Sequence, residues 1–411
     1  MIDTVSNNPP SPRRLYMDNA ATSFPKPPAV TDAMVRYATE LGASAGRGAY
    51  HEAIETGNLI IECRRKLRQL FRGEKPEHFI FTLNCSDALN LAIKGILQHA
   101  PGAAPHAICT AIDHNSVLRP LGHLADAGAI ELTCVPVDPR SGLVDPEDIR
   151  RAIRKETRLI SVTHVSNVTG TVQDIRAIGR IARENDIPYL VDAAQSAGHL
   201  PIDVQEDCID LLAAPGHKGL LGPLGTGILY IRPGIEKILD PIREGGTGSV
   251  SENDRQPNFL PDRYEPGSHN AIGIAGLLEG VKWLLDRGVE KIAEHDLDLV
   301  RTFIEGVGDV EGLTYFGPRG VRNRLGVFSV RIDGWEPYEL AGILESHYGI
   351  LTRPGLHCAP RIHATLGTLD KGGTTRFSFG PFLSVRDVRY ATDALAEIAA
   401  SCKTVERLAS S

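Results

Sequence analysis

The sequence has 411 residues, of which 42% are hydrophobic and 23% are charged; this is globular usage and excludes a disordered, collagenous or disulfide-scaffold chain. Its length predicts one large and one smaller domain. The formal net charge is −7 and the basic residues are scattered, so the sequence lacks the clustered basic face that nucleic acid or an anionic membrane surface requires.

The first residues, Met1 to Arg14, are polar and Pro-rich and do not have the apolar segment of a secretory signal. The sequence contains no run of about 18 apolar residues, which is the pattern that would predict a membrane-spanning helix. The seven cysteines form no C-x-x-C pair, so neither a disulfide framework nor a cysteine-rich zinc site is suggested. Because the number of cysteines is odd, at least one thiol could take part in chemistry. We expect a cytoplasmic protein that binds no metal.

Between residues 78 and 231, short apolar runs alternate with amphipathic stretches of helical length. The predicted elements are, in chain order, strand His78–Leu83, helix Ser86–Gln98, strands His106–Ala111 and Leu159–Val165, helix Ile175–Glu184, and strands Tyr189–Val191, Leu211–Ala213 and Gly227–Ile231. This rhythm predicts an α/β fold with a mainly parallel sheet and helices on both faces.

A polar, Gly-rich stretch, Arg243–Asn258, then interrupts the pattern. It is followed by a helical span around Gly276–Leu285 and by alternating strands such as Gly326–Ile332 and Thr375–Phe379. A second, smaller α+β domain is therefore predicted in the C-terminal part of the chain.

Ligands of open α/β sheets collect at the carboxyl ends of the strands, so the residues that follow each strand are the first candidates. Cys85 and Ser86 begin a helix whose free N–H groups would hold an anion such as a phosphate, although the same residues also make an ordinary helix cap. Asp192 ends an apolar strand, where a buried carboxylate needs a cationic partner. The pyridinium nitrogen of pyridoxal phosphate (PLP) would be one; taken singly, a helix-capping Asp is the commoner explanation.

Lys218 follows another apolar strand, in the turn Gly216-His217-Lys218-Gly219. A desolvated lysine in such a turn has a lowered pKa and can form a Schiff base, although most lysines are solvated surface charges. The presence of Asp192 at the end of the preceding strand favours the Schiff base. His114 could stack on a cofactor ring or carry protons, which a lone histidine seldom does.

Six motifs follow one another over nearly the entire chain: Asp18-Asn-Ala-Ala-Thr-Ser23, Asp113-His114, Ser166-Asn167-Val-Thr-Gly170, Val191-Asp192-Ala-Ala-Gln195, Gly216-His217-Lys218 and Arg353-Pro-Gly-Leu-His357-Cys358-Ala359. Together they resemble the class V aminotransferase superfamily of fold-type I PLP enzymes, and most of all its group II cysteine desulfurase and selenocysteine lyase branch. The resemblance implies a large PLP-binding domain (16–284) with a mainly parallel seven-stranded sheet, and a small α+β domain (285–411) that carries the Cys358 loop. An N-terminal segment (1–15) would be flexible at its start.

By this resemblance, Lys218 would hold PLP covalently and act as a catalytic base. Asp192 would pair with the pyridinium nitrogen, Gln195 would contact the phenolic oxygen, and His114 would stack on the ring. Asn167 would lie beside both cofactor and substrate.

The resemblance also assigns residues to the phosphate of the cofactor and to the carboxylate of the substrate. Cys85, Ser86 and His217 would hold the phosphate, and Ser268 would reach it from the partner subunit of a homodimer with a shared site. Arg376 would bind the substrate carboxylate, a task that suits a planar guanidinium, although an exposed strand arginine is the ordinary alternative.

Four positions depart from the pattern of that superfamily. Pro215 stands where Ser or Thr is usual before Gly-His-Lys, Cys85 and Ser86 stand where a Thr pair is usual, and Pro354 stands where Thr is common. Since a thiol is a poorer donor than a hydroxyl, we expect the phosphate to be held more weakly or by other groups.

The resemblance predicts an enzyme that converts L-cysteine to L-alanine and takes the sulfur onto Cys358 as a persulfide, for delivery to a sulfur-acceptor protein. Arg353 and His357 could favour the thiolate, and Gly355 would let the loop swing. The alternatives are a buried structural Cys358, a selenocysteine lyase, another PLP enzyme (aminotransferase, epimerase or C–S lyase), and a non-catalytic PLP-fold protein.

Overall fold

The computed structural model of the protein describes residues 14–45, 48–99, 104–250 and 252–409. The start of the predicted N-terminal segment, residues 1–13, lies outside them. The helices are α1 Pro28–Arg36, α2 His51–Phe71, α3 Cys85–His99, α4 Asn115–Asp126, α5 Pro146–Ala152, α6 Ile175–Glu184, α7 Ala271–Arg287, α8 Val289–Val307, α9 Pro337–Tyr348, α10 Pro360–Thr365 and α11 Val385–Ala409. None of these described helices is both long and apolar enough to cross a lipid bilayer.

The strands form three sheets. They are β1 Leu15–Tyr16, β2 Phe79–Thr82, β3 His106–Thr110, β4 Glu131–Val135, β5 Thr157–Thr163, β6 Tyr189–Asp192, β7 Leu211–Pro215, β8 Gly227–Ile231, β9 Leu313–Tyr315, β10 Val327–Ile332, β11 Ile350–Leu351, β12 Arg353–Gly355 and β13 Thr374–Ser378. The predicted strands agree with these to within a few residues, and the predicted helix Ile175–Glu184 is α6.

The central sheet has seven strands in the order β2-β8-β7-β6-β5-β3-β4. Neighbours from β7 to β4 are parallel, and only β8 runs against the others. Alternate residues of its strands enter two separate apolar clusters, for example Leu212 in one and Leu211 in the other. Because both faces are covered, inner strands such as β7 and β8 are buried along their whole length. This confirms the predicted α/β fold with a mainly parallel sheet.

A smaller antiparallel sheet, β12-β13-β10-β9, packs on α8 and α11 around a third apolar cluster. Aromatic rings fill its centre; those of Phe303 and Phe328 stack with centroids 4.1 Å apart. We call this unit the C-terminal module. Leu15 and Met17 belong to the same cluster, because β1 pairs with β11. The domain boundaries 16–284 and 285–411 stay a prediction.

Candidate active site

A cavity of about 420 Å³ opens at the carboxyl edge of the central sheet, within the size range of small-molecule sites. Its lining includes eight of the predicted site residues: Cys85, Ser86, His114, Asn167, Asp192, Gln195, His217 and Lys218. They come from the ends of several strands and from the first turn of α3, which is where the rule for open α/β sheets places a ligand.

Lys218 lies in the turn that follows β7. Its carbonyl accepts a hydrogen bond from the N–H of Leu221 at 2.8 Å, and Gly219 beside it has no room for a side chain, since a Cβ there would lie 2.2 Å from the Ala197 carbonyl oxygen. Burial lowers the pKa of the Lys218 amine. A larger fraction of this amine is therefore neutral, and so nucleophilic, than for a solvated lysine.

Asp192 is the last residue of β6 and is buried. Its Oδ1 accepts hydrogen bonds from the N–H of Ala194 at 2.9 Å and from the Cys85 thiol at 3.7 Å. Burial raises the pKa of the Asp192 carboxyl. A cation bound beside this carboxyl would be strongly favoured, because it would offset the cost of a buried negative charge.

His114 caps the N-terminus of α4. Its Nδ1 accepts a hydrogen bond from the backbone N–H of Ser116 at 3.0 Å, which leaves the proton of the neutral ring on Nε2. Burial lowers the pKa of His114 to about 4. The ring is therefore uncharged at neutral pH, with a fixed tautomer.

Asn167 joins the cavity to the C-terminal module. Its Nδ2 donates to the carbonyl of His357 at 2.6 Å, and its own carbonyl accepts from Nη1 of Arg376 at 3.2 Å. Arg376 is only 1% exposed, and its Nη2 pairs with the Asp18 carboxylate at 2.7 Å. The alternative of an exposed strand arginine is therefore wrong.

Cys358 lies in the short loop between β12 and α10 and is exposed, so the alternative of a buried structural cysteine is wrong. Its carbonyl accepts from the N–H of Asn115 at 2.8 Å, which ties the loop to the start of α4. His357 and Cys358 have φ angles of 51° and 58°, a left-handed conformation that is strained for residues with a side chain. Gly355, which was predicted to let the loop swing, lies in β12 and is paired there with Thr374 of β13.

Three predicted site residues, Arg376, Cys358 and Ser268, are not among the residues that line the cavity. Ser268 lies apart from the Asn167 contacts described above. It is exposed and lines an adjoining depression that shares Leu83 and Gly225 with the cavity. The segment that carries Ser268 is fixed by Glu265, a buried carboxylate that pairs with Arg64 and accepts from His269 at 2.6 Å.

Among the lining residues that sequence analysis did not identify, Ser116 and Thr163 make polar contacts that shape the site. The Ser116 hydroxyl lies 2.7 Å from the Ser86 hydroxyl, so the cavity has a second hydroxyl despite Pro215. Thr163, at the end of β5, donates to the buried carboxylate of Asp113 at 2.8 Å and so fixes the loop before His114. Both contacts join residues from different elements, and no local pattern indicates them.

The cavity suits PLP in its chemistry. Among the described residues, His217 Nδ1 and Asn167 Oδ1 are buried without a hydrogen-bond partner, and both residues line the cavity. The N-terminus of α3 and the hydroxyls of Ser86 and Ser116 suit an anion. Together with an amine and a carboxyl, these groups match an aldehyde, a pyridinium and a phosphate.

Comparisons with known proteins agree with this geometry. The family model of the class V aminotransferases matches residues 15–390. A probable cysteine desulfurase of Methanothermobacter thermautotrophicus is 35% identical over 387 residues, which cover 94% of each chain. The cysteine desulfurase IscS of Dictyoglomus turgidum is 31% identical and covers 96% of each chain. Among solved structures, the apo cysteine desulfurase of Thermococcus onnurineus superposes with a TM-score of 0.88 at 32% identity, covering 94% of this chain and 95% of that one. The chain therefore belongs to the class V aminotransferase family and, within it, to the cysteine desulfurases.

Proposed function

We propose that this protein is a PLP-dependent cysteine desulfurase that converts L-cysteine to L-alanine and takes the sulfur onto Cys358 as a persulfide. One observation carries the proposal. The exposed thiol of Cys358 sits on a loop that Asn167 ties to the cavity of Lys218 and Asp192. An exposed thiol on a loop tied to an amine-bearing cavity suits sulfur transfer, whereas a transaminase would not need one.

The cavity would hold PLP through groups at both ends. Lys218 would bind it covalently, Asp192 would pair with the pyridinium nitrogen, and Gln195 and His114 would contact the ring. When bound, PLP would supply an aldehyde for the substrate amine and an electron sink for the bond-breaking step. The predicted phosphate contacts, Cys85, Ser86 and His217, would be joined by the Ser116 hydroxyl, which would replace the donor that Pro215 lacks.

The substrate would lie between Lys218 and Arg376. The buried guanidinium of Arg376 would bind the carboxylate of L-cysteine, with Asn167 beside it. Once displaced by the substrate amine, the neutral amine of Lys218 would take the Cα proton, and its lowered pKa keeps it ready to do so. His114, neutral at pH 7, would stack on the ring without adding a positive charge to it.

Cys358 would complete the reaction as a thiolate. Its sulfur would attack the substrate sulfur, so that an S–S bond forms while the Cβ–S bond breaks. The remaining three-carbon unit would be protonated and released as L-alanine. Since Cys358 is exposed, its persulfide could be handed to a sulfur-acceptor protein.

We further propose a cytoplasmic homodimer with a shared site. Leu83 and Leu224 line the same cavity and are 58% and 68% exposed, so two large apolar side chains lie together on this face. A partner subunit on this face would cover them and would bring its Ser268 towards the phosphate.

The test measures two products from L-cysteine with the PLP-loaded protein, alanine and protein-bound persulfide. We expect both from the wild type, no alanine from Lys218→Ala, and no persulfide from Cys358→Ala. Cys208→Ala, which removes a half-buried thiol elsewhere, is the matched control and should behave as the wild type. If PLP binds but the wild type forms neither product, the sulfur-transfer reaction is excluded and another PLP reaction must be sought.

A further inference from the structure

The backbone carbonyl of His217, the residue before Lys218, accepts more hydrogen bonds than it needs. Its donors are the Ser23 N–H at 3.0 Å, the Thr22 hydroxyl at 3.0 Å, the Ser23 hydroxyl at 3.1 Å and Lys26 Nζ at 3.3 Å. A carbonyl oxygen has two lone pairs, so four donors exceed what is required to satisfy it. This carbonyl is therefore held from several directions at once. We call Thr22, Ser23 and Lys26 the His217 clamp.

Lys26 determines how the hydrogen bonds of the clamp are arranged. An ammonium can only donate, so the Ser23 hydroxyl oxygen, 2.8 Å from Lys26 Nζ, accepts from it and keeps its own hydrogen for the His217 carbonyl. Burial lowers the pKa of Lys26 to about 8, which leaves the amine mostly protonated at neutral pH. Hydrogen bonds from a charged donor are the stronger kind. Lys26 does not line the cavity, so its effect on the site passes through His217.

The segment that carries the clamp is itself fixed to both parts of the molecule. The Ala20 carbonyl accepts from Nε2 of Gln195 at 3.0 Å, and the Ala20 N–H donates to the Ser378 hydroxyl at 2.8 Å. The Thr22 carbonyl accepts from the Tyr16 hydroxyl at 3.0 Å. The clamp therefore has a firm base from which to hold the lysine turn.

The turn that carries Lys218 has a glycine at each end. A Cβ on Gly216 would lie 2.0 Å from the Thr226 hydroxyl oxygen. One on Gly219 would lie 2.2 Å from the Ala197 carbonyl oxygen, so neither position has room for a side chain. Glycine backbone is also the least restricted in its dihedral angles. The direction of the Lys218 side chain therefore depends on how the two residues between these glycines are held.

We propose that Lys26 is a positioning residue for the reactive amine of Lys218. Together with Thr22 and Ser23 it holds the His217 carbonyl, and this fixes the direction in which the next side chain leaves the backbone. The inference rests on the proposed function in one respect, that Lys218 is the residue that takes PLP. The amine must reach the aldehyde carbon of the cofactor and later the Cα proton of the substrate, and small displacements of reacting groups lower rates strongly.

The first experiment measures how fast PLP attaches to Lys218, without any L-cysteine. Full-length protein freed of PLP is mixed with PLP, the growth of the visible absorption band is followed, and borohydride reduction with mass spectrometry locates the label. Lys26→Met keeps the chain length but removes the donor, and should slow attachment about tenfold. Lys26→Arg keeps a charged donor and should slow it less than about threefold. The matched control is Lys66→Met, which changes a half-buried lysine of α2 and should behave as the wild type.

The second experiment measures alanine formation by the PLP-loaded variants. In Lys26→Met we expect kcat to fall about tenfold or more, with the KM for L-cysteine within about twofold of the wild type, because Arg376 keeps its own contacts. Thr22→Val removes another donor of the clamp while keeping the shape of the side chain. It should lower the attachment rate and kcat in the same direction, so it tests the clamp even if Lys26→Met does not fold.

Urea unfolding, compared with Lys66→Met, shows whether each variant is folded. A folded Lys26→Met with wild-type attachment rate and kcat overturns the proposal; if Lys26→Met does not fold, wild-type values in Thr22→Val overturn it. A raised KM with unchanged kcat would place Lys26 at the substrate site, and weaker PLP retention with unchanged kcat at saturating PLP would place it at the phosphate; either result also overturns the proposal. If the wild type attaches PLP but forms no alanine, the desulfurase reaction fails, while the attachment rates still decide the role of Lys26.

Discussion

The ion pair between Asp18 and Arg376 sets the electrostatics of the proposed substrate site. A buried guanidinium without a partner carries a large desolvation cost, and the Asp18 carboxylate at 2.7 Å offsets it. The pair also fixes the orientation of the guanidinium, whose Nη1 is held by the Asn167 carbonyl. Among the described residues the Arg376 Nε has no hydrogen-bond partner, so it stays available to a bound carboxylate.

We therefore expect Asp18 to position Arg376 for the substrate. Asp18→Ala should raise the KM for L-cysteine about tenfold, equivalent to about 1.4 kcal/mol, because the guanidinium loses its anchor. Asp18→Asn keeps an acceptor oxygen and should change KM less than about threefold. Steady-state alanine formation measures both, with the exposed Asp32→Ala as control. An unchanged KM in Asp18→Ala would rule out this role.

At this scale the sequence predicts which residues meet, but not all of their partners. Asp192 and Lys218 could be predicted because Asp192 ends one apolar strand and Lys218 closely follows another, and parallel strands bring such ends to one edge. The partner of Arg376 could not, because Asp18 lies 358 positions away. The contact of Ser86 with Ser116 joins the first turns of two helices, and a hydroxyl so placed looks like an ordinary helix cap in the sequence.

Among the elements, α8 makes a polar contact with the segment around His199, which packs against the turn that carries Lys218. Asp296 of α8 is 2.7 Å from His199 Nδ1. The His199 ring in turn lies against Gly219, where an added Cβ would be 2.6 Å from the ring. Gly219 follows Lys218 directly, so this pair connects the C-terminal module to the backbone that carries the reactive amine.

The His199–Asp296 pair should make stability depend on pH. Burial alone would lower the pKa of His199, but the Asp296 carboxylate outweighs burial and raises it. The stabilisation is then fully present below the usual histidine pKa near 6.5 and is lost as the pH rises through the raised value. Asp296→Asn should reduce the free energy of unfolding by about 3 kcal/mol at pH 6 and by clearly less at pH 9.

Urea denaturation at the two pH values measures this difference. Asp298→Asn is the matched control, because Asp298 lies on the same helix and pairs with Arg301 at the surface; it should cost less than about 1 kcal/mol at either pH. If Asp296→Asn reduces the free energy of unfolding equally at pH 6 and pH 9, the charges of the pair do not contribute to stability.

Element types were predictable from periodicity, while strand directions were not. The run Gly227–Ile231 was predicted with its observed bounds, yet nothing in it indicates that β8 is antiparallel to its neighbours, since all five residues are buried. The two-residue strands β1 and β11 exist only as a pair. Runs this short have no periodicity to detect.

For the molecule as a whole, the proposed shared site gives a prediction for mixed dimers. Ser268→Asp would place a negative charge near the phosphate of the partner's PLP, and Lys218→Ala removes the reactive amine. Each variant alone should be nearly inactive. A hybrid dimer of the two has one site with both native residues, so the exchanged mixture should recover a substantial part of the wild-type rate of alanine formation.

The control mixture combines Lys218→Ala with Ser346→Asp, an exposed change on α9. Ser346→Asp should be as active as the wild type by itself, and its mixture should show only the average of the two parents. If the mixture with Ser268→Asp also gives no more than the parental average, Ser268 does not act across an interface.

The pairing of β1 with β11 has a consequence for how the protein is made. Leu15 and Met17 leave the ribosome early, but the strand and the apolar cluster that receive them are encoded on the order of 300 residues later. At a synthesis rate of ~5–20 residues per second, the wait is on the order of 15 to 60 seconds. During that time the central sheet can already fold, while the N-terminal strand stays unpaired and open to chaperones, proteases and other nascent chains.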